Sequence, residues 1–426
     1  MTPFLLGSSD KRVVFINRYF APDHSATSQM LSDLAFHLAS IGWDVCVVAC
    51  NETYDGARVL PDEETIAGVR VRRVRSGGFG RSGLLARAFD YLVLYVALAR
   101  GALSLLRPGD ILVVMTDPPL LSIPLAVVAR WRKALLVNWL QDLYPEVAIA
   151  LGVPLLAGRP GRAIAQLRNR SLQAARVNVA IGELMAARLP AGKSVCIHNW
   201  ADDEAIVPQS SRALDLRAEW GLGARFVVGY SGNLGRAHEC ETLLQAAVLL
   251  KDRADIAFLF IGGGHHVQDL AGRAQALGLS ERFVFQPYQA RERLGLSLNA
   301  PDVHWLSLRP ELEGLIVPSK FYGIAAAGRP LIAVGALDGE IARIIGEHQC
   351  GAAVASGDAA GFARIILQLA ADTASGQGIN DGIDDGIGER MGERARALID
   401  RRFARRLAFA RWADLLDGLA ASDARL

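Results

Sequence analysis

The sequence predicts an α/β protein built from two doubly wound parallel sheets. Three observations carry this. Short runs rich in β-branched and aromatic residues alternate with longer amphipathic stretches along the chain. The strand-like runs are apolar at nearly every position, as in strands covered on both faces. The pattern then occurs twice, on either side of a polar, irregular stretch from Ala201 to Gly223 that holds Pro208, Ser210 and Ser211. A chain of 426 residues, 51% hydrophobic and 21% charged, is long enough for two sizeable cores.

In the first half, strands are expected at Val13–Asn17, Asp44–Ala49, Val69–Val74, Ile111–Met115, Leu135–Trp139, Val177–Ile181 and Val195–His198. Amphipathic runs separate them; in Ser28–Ser40, for example, Met30, Leu31, Leu34 and Leu38 share one helical face. In the second half, strands are expected at Phe226–Tyr230, Ile256–Ile261, Phe283–Phe285, Val303–Ser307, Pro330–Val334 and Ala352–Ala355. Residues 376–388 are of low complexity and read as a surface loop. Glu389 to Ala420 is a helical stretch, amphipathic and arginine-rich on its polar face. The domain boundaries follow: a first domain over 1–200, a linker over 201–224, a second domain over 225–405, and a terminal helix over 406–426 that can return to the first. In doubly wound sheets, ligands bind at the carboxyl ends of the strands, so the two halves are expected to face each other across a cleft.

The net charge of +2 gives no case for nucleic acid. Its distribution is uneven. Residues 1–200 hold 22 Lys and Arg against 15 Asp and Glu, whereas residues 201–426 hold 24 against 29. A basic first half suits an anionic membrane surface. Arg70, Arg72, Arg73, Arg75, Arg81 and Arg87, around Gly77 and Gly78, form the candidate patch, with the leucine- and aromatic-rich run Tyr91–Leu106 beside it. A core helix with a solvated basic neighbour is the other reading. No run reaches the ~20 apolar residues of a spanning helix, and no secretory signal is visible at Met1–Leu6. A cytoplasmic protein, peripheral on the inner face of the membrane, is expected. Cys46, Cys50, Cys196, Cys240 and Cys350 form no C-x-x-C pair and no disulfide framework.

Two segments carry the chemistry. The first runs from Glu311 to Pro330, after the strand Val303–Ser307. It passes through a Gly-containing loop into a helix whose first turn holds Pro318, Ser319 and Lys320. Free N–H groups at a helix start, with a lysine beside them, suit paired phosphates. The second is Phe226-Val-Val-Gly-Tyr-Ser-Gly-Asn-Leu-Gly-Arg-Ala-His238, a strand and then a glycine loop. There Gly232 and Gly235 permit close backbone approach, and Arg236 and His238 can meet a phosphate. No Walker motif and no G-x-G-x-x-G opening the first half are present, which disfavours nucleoside triphosphate and NAD chemistry. His265 and His266 have no partner ligand at zinc-like spacing, so no metal is expected.

Residues 226–238 and 303–335, in this order, resemble family 4 glycosyltransferases of the GT-B fold. Asn17–Thr27, Leu34–Val45 and His198-Asn-Trp-Ala-Asp202 are similar to the family's opening and to its approach to the linker. Val137–Glu146 and Val317–Gly323 look closest to a subgroup assigned to bacterial cell-surface polysaccharide assembly, thought to move N-acetylated hexosamines onto lipid-linked acceptors. The resemblance implies a nucleotide-sugar donor, UDP by subgroup likeness, bound to the second domain, with transfer that retains anomeric configuration.

Residue by residue, the family's basic pair falls on Asn233 and His238, with Arg236 offered as the replacement cation. The family's two glutamates, separated by seven residues, fall on Leu315 and Gly323. Glu313 is then the candidate to bind the donor sugar, and nothing local replaces the ribose-binding glutamate. The N–H groups of Leu315, Ile316 and Val317, with Ser319 and Lys320, are expected to hold the diphosphate. Tyr288 falls near the base. In the first half, Gln141 and Asp142 fall where the family often has His before Asp, and Ser25, beside Arg18, falls on the acceptor loop. A helix cap before Pro145 is the other reading of Asp142. Three rivals remain open at this level: a sugar-nucleotide epimerase of the same fold, a non-catalytic sugar-nucleotide binder, and a transferase acting on a plain lipid or a soluble acceptor.

Overall fold

The computed structural model describes residues 11–56, 58–75, 84–209, 211–376 and 386–423. The chain forms two compact units, Met1–His198 with Ala408–Leu426, and Asn199–Leu407.

Unit 1 is built on an eight-stranded sheet. Its strands are β1 (Arg12–Ile16), β2 (Asp44–Cys50), β3 (Glu63–Ile66), β4 (Val69–Val74), β5 (Ile111–Met115), β6 (Leu135–Leu140), β7 (Val177–Ala180) and β8 (Ser194–Cys196). They lie in the order β3-β4-β2-β1-β5-β6-β7-β8. All pairs are parallel except β3 with β4. Every residue of β1 and β5 is buried, which is why those segments read as unbroken apolar runs. The antiparallel strand β3 is not visible from sequence patterning. Three of its four residues, Glu63, Glu64 and Thr65, are polar, as suits a charged sheet edge.

Unit 2 holds six parallel strands: β9 (Phe226–Asn233), β10 (Ile256–Gly263), β11 (Phe283–Gln286), β12 (Val303–Ser307), β13 (Leu331–Gly335) and β14 (Gly351–Ala355). Their order is β11-β10-β9-β12-β13-β14. β9 and β10 run further than the apolar pattern indicates, with Gly232 opposite Gly262 and Asn233 opposite Gly263. This extension carries the glycine loop out as sheet. Phe258, Phe260, Phe283, Tyr230 and Trp305 fill the core on one face of the sheet.

Several expectations are corrected. The irregular linker over 201–224 contains a helix, Ser211–Glu219, that belongs to unit 2. Leu216, Trp220 and Leu222 pack on Val227, Leu259 and Ile261, and Arg217 pairs with Asp302 at 2.8 Å. The density of charged residues hid this short apolar stripe. The helical stretch 389–420 is divided. Ile387–Leu398 passes through one wide π turn, Ile399–Phe403, and Ala404 (φ −57°, ψ 138°) breaks it before Arg405–Asp423. Of the low-complexity segment, Gly376 ends the helix Ala359–Gly376 and Gly386–Gly388 lead into the next; the residues between lie outside those described.

The basic patch is corrected in part. Arg73 is buried on β4, paired with Glu64 and donating to the Ala21 and Pro61 carbonyls. Arg70 makes a two-pronged bond to Asp44 at 2.6 and 2.8 Å, and Arg72 donates to Ser104 Oγ at 2.9 Å. These cations tie β3, β4 and β2 together, and Arg70 and Arg72 keep part of their side chains exposed. Arg81 and the Arg87 side chain lie outside the described residues.

From the last helix, Trp412 inserts fully buried into unit 1, its ring 4.7 Å from that of Trp139. On the same helix, Phe409 stacks on His37 at 4.6 Å, so His37 is a packing residue. Trp412→Ala is expected to cost ~3–5 kcal/mol through lost burial and the cavity left behind. Denaturant unfolding followed by Trp fluorescence measures this. A loss under ~1 kcal/mol would show that the insertion contributes little.

Candidate functional site

In unit 2 the carboxyl ends of β9 and β12 bring three polar groups together. β12 ends at Ser307, whose carbonyl accepts a hydrogen bond from His238 Nδ1 at 2.6 Å. Since a carbonyl only accepts, Nδ1 carries the imidazole proton. Nε2 is then an acceptor, and Lys320 Nζ donates to it at 3.1 Å. The Ser307 hydroxyl accepts from the Glu239 N–H at 3.0 Å and so fixes the backbone that follows His238. Below the ammonium lies the Tyr230 ring, 5.3 Å from Nζ to its centroid, in cation–π range.

Glycine makes room for this. Gly232 has φ +123°, a conformation that favours glycine, and a Cβ there would stand 2.9 Å from Lys320 Cε. The sequence therefore joins the two segments it singled out, through one side chain crossing one glycine.

Electrostatics follow from burial. Burial, followed by the nearby Lys320 charge, lowers the His238 pKa to about 4, so His238 is neutral at physiological pH. Burial lowers that of Lys320 to about 8. Lys320 thus remains cationic near neutrality but is poised to lose its proton in mild alkali. A poorly solvated ammonium held in place by a neutral imidazole is a preorganised receptor for an anion.

The surrounding candidates are placed unevenly. Tyr288 is exposed, and its ring packs on the backbone of Gly262 and Gly263, where any added Cβ would come within 3.1 Å of it. Asn233 and Arg236 are exposed at the loop, and Arg236 lies near His266.

Two expectations fail. The N–H groups of Leu315 and Ile316 do not point to a ligand, since both donate to the Leu312 carbonyl, at 2.9 and 3.2 Å, closing a tight turn. Among the described residues, Val317, Ser319 and Lys320 remain as the amides this turn does not use. The Glu313 carboxylate accepts from the Glu340 N–H at 3.2 Å, at the start of the helix Glu340–His348. It sits so close to Gly339 that a Cβ there would be 2.3 Å from its Oε1. Glu313 thus braces that helix start, and burial raises its pKa despite the Glu340 N–H.

In unit 1 the carboxyl ends of β1, β5 and β6 carry Arg18, Asp117 and Asp142. Arg18 is held by its backbone, its N–H on the Asp117 carbonyl at 2.7 Å and its carbonyl accepting from the Cys50 N–H at 2.7 Å. Its guanidinium lies 5.0 Å from the Tyr19 ring centroid and 5.6 Å from that of Tyr91. Burial, then the neighbouring Asp117, raises the Asp142 pKa to about 7; burial raises that of Asp117 to about 6 against the pull of Arg18. Asp142 is not a helix cap, because the helix Glu146–Ala150 starts at Pro145 with no side-chain cap. Gln141 is buried with its N–H on Thr116 Oγ1 at 3.2 Å. Ser25 precedes the helix Ala26–Ser40, its N–H bound to Asp23 Oδ1 at 2.8 Å and its hydroxyl buried. Sequence reasoning missed Asp117. Its signal was Asp117-Pro118-Pro119 directly after a fully apolar strand, the position where doubly wound sheets carry ligand groups.

The profile described as "Glycosyl transferases group 1" matches residues 225–372, which hold the Lys320–His238 site. Over 292 residues the chain is 31% identical to the "Probable glycosyltransferase WbjE" of Pseudomonas aeruginosa, covering 66% of this chain and 70% of that protein. The chain belongs to the group 1 glycosyltransferases. This glycosyltransferase is also 26% identical over 227 residues to the "Putative colanic acid biosynthesis glycosyl transferase WcaI" of Escherichia coli K12, covering 50% of this chain and 54% of that one. Among solved structures, sucrose-phosphate synthase from Thermosynechococcus elongatus superposes with a TM-score of 0.74 at 17% identity, covering 97% of this chain and all of that one. Anabaena Alr3699/HepE in complex with UDP-glucose superposes with a TM-score of 0.69, also at 17% identity, over 96% of this chain and all of that one. The fold is the two-domain GT-B architecture.

A pH dependence follows from the lysine. Its charge is present below about pH 8 and is lost above it, so the affinity of this site for an anion falls as pH rises through that value, by up to tenfold per unit. Calorimetric titration of UDP at pH 7 and pH 9 measures this. An unchanged affinity, or an equal drop in Lys320→Met, would count against the assignment.

Proposed function

We propose that this glycosyltransferase moves a hexose or N-acetylhexosamine from a UDP-sugar to a lipid-linked or polysaccharide acceptor, with retained anomeric configuration, in cell-surface glycan assembly. The observation that carries the donor part is the Lys320 ammonium, held by His238 across Gly232 at the strand ends of unit 2. The UDP-glucose bound by the HepE relative and the colanic acid named for WcaI support the donor class and the pathway class.

In the proposed step, the bond from C1 to the β-phosphate oxygen breaks and its electron pair leaves with the diphosphate. A bond from the acceptor oxygen to C1 forms, and the acceptor proton is released. The charge that builds on the diphosphate meets Lys320 and the Val317, Ser319 and Lys320 amides, without a metal ion. Tyr288 offers a face on which the base stacks. Asp142, partly ionised near neutrality, orients the acceptor hydroxyl, and Arg18 meets an anionic group of the acceptor.

The test is acceptor-dependent release of UDP from candidate UDP-sugars and membrane-extracted lipid-linked acceptors. Lys320→Ala is expected to lower kcat by ~10²–10³. Asp142→Asn removes a rise in rate with pH through about 7. A changed sugar nucleotide without UDP release would instead establish an epimerase, and donor binding without turnover a non-catalytic binder.

For the membrane, the paired arginines of β4 move the proposed contact elsewhere in unit 1. Phe89, Leu92 and Val96 on the helix Leu84–Leu105, and Val127 and Trp131 on the helix Ser122–Arg132, are exposed apolar residues, with Arg130 and Lys133 exposed nearby. Cations beside protruding apolar side chains suit an anionic lipid surface. Among the described residues, no helix is long and apolar enough to cross a membrane. Co-sedimentation with phosphatidylglycerol vesicles should fall in Trp131→Glu and persist in Arg72→Ala; the reverse pattern would restore the original patch.

A further inference from the structure

Two carboxyl groups lie at adjacent strand ends of unit 1. Asp117 follows β5 and Asp142 follows β6, and these strands pair in parallel with Met115 opposite Trp139. The Gln141 N–H donates to Thr116 Oγ1 at 3.2 Å, so the residues that immediately precede the two aspartates are bonded to each other. Asp117 is held from its other side as well. Its carbonyl accepts the Arg18 N–H at 2.7 Å, and its carboxylate accepts from the Thr27 hydroxyl. Asn17 Nδ2 donates to Thr27 Oγ1 at 3.4 Å, which directs the hydroxyl proton toward Asp117.

Asp142 is the opposite case. Among the described residues its carboxylate accepts no hydrogen bond; only burial and the Asp117 charge act on it. A carboxylate set at a strand end without a protein donor can take one from a bound hydroxyl. Arg18 and Thr27 favour the charged form of Asp117, which loses its proton at about pH 6, so Asp142, at about 7, titrates against a neighbour already negative. The tyrosines and the cysteine around the pair stay neutral near neutrality. Burial pushes the Tyr19, Tyr95 and Tyr144 hydroxyls well up, and the Cys50 thiol up to about 12. The remaining charged groups are Arg18, which stays cationic, and Asp23, whose carboxylate accepts from the Ser25 and Tyr54 N–H groups at 2.8 and 2.6 Å.

We propose that Asp117 is a positioning residue of the acceptor site, acting through Asp142: its charge, held by Arg18 and Thr27, keeps Asp142 ready to take the proton of the acceptor hydroxyl. The proposal rests on the reading of Asp142 given above. In the step, that proton passes to an Asp142 oxygen. The O–H electron pair stays on the acceptor oxygen and becomes its bond to C1, while the C1–O pair leaves with the diphosphate. The proton then passes from Asp142 to water. A base works best when its pKa lies near the working pH, and a second carboxylate beside it is one way to raise it there. A strand-end aspartate left alone in water, with the ~3.9 of a free side chain, would accept the proton poorly.

The test reads the two groups directly, by carbon-13 NMR of the full chain labelled at its aspartate carboxyls and titrated with pH. Two resonances are expected to titrate, at about 6 and about 7. Asp117→Asn removes the first and lowers the midpoint of the second by ~0.5–1 unit, as loss of one nearby like charge implies. Asp142→Asn removes the second. Thr27→Val, which leaves Asp117 in place, raises the lower midpoint, and Thr27→Ser restores it. In acceptor-dependent UDP release, the rise in rate with pH moves down by the same amount in Asp117→Asn. UDP affinity and circular dichroism serve as checks that each variant is folded. No aspartate titrating above about pH 5, or an Asp142 midpoint unmoved in folded Asp117→Asn, overturns the proposal. If Asp142→Asn keeps the rise in rate, the reading of Asp142 as proton acceptor falls and the proposal with it. If Asp142→Asn loses the rise and Asp117→Asn leaves it unmoved, the proposal alone falls.

Discussion

The proposed donor site of this glycosyltransferase depends on one hydrogen bond, from the Lys320 ammonium to the His238 imidazole. It holds only because three other conditions are met. Ser307 fixes the imidazole tautomer through its carbonyl, Gly232 has no side chain to block the lysine, and Tyr230 supports the charge from below. Tyr230 and Gly232 lie on β9, and Ser307 ends β12, its neighbour in the sheet. A lysine placed there without the imidazole would be free to turn to solvent. A histidine alone, neutral above about pH 4, would bring no charge.

Most of the fold was legible because parallel strands buried on both faces leave a dense apolar signature, and β4, β5 and β12 match their expected spans residue for residue. What was not legible has physical causes. β3 is an edge strand whose polar side chains mimic a loop. The helix Ser211–Glu219 buries only a narrow stripe, set among charges. The break at Ala404 is a backbone event with no glycine or proline to announce it.

At the site, residue types were easier to read than their aims. Lys320, His238 and Gly232 converge, because Gly232 lies near the end of β9, His238 follows it and Lys320 follows β12, in a sheet whose order brings β9 beside β12. The amides of Leu315 and Ile316 were misassigned because a 3₁₀ turn at Pro310–Leu312 captures them, and turn type is not written in the side chains. Glu313 was misassigned because its partner, the N–H of Glu340, lies on a distant helix. Charge counting likewise reported cations in the first half without reporting that Arg70 and Arg73 already have carboxylates.

Trp412 gives the chain an order of events. The aromatic plug that completes the core of the first unit is made only after the whole second unit, while Trp139, its neighbour, is made long before. During synthesis the earlier sheet must wait with an apolar socket open, a state that invites aggregation and the attention of chaperones. A prematurely terminated product would thus be left with an unfilled core in the half of the protein that had been translated in full.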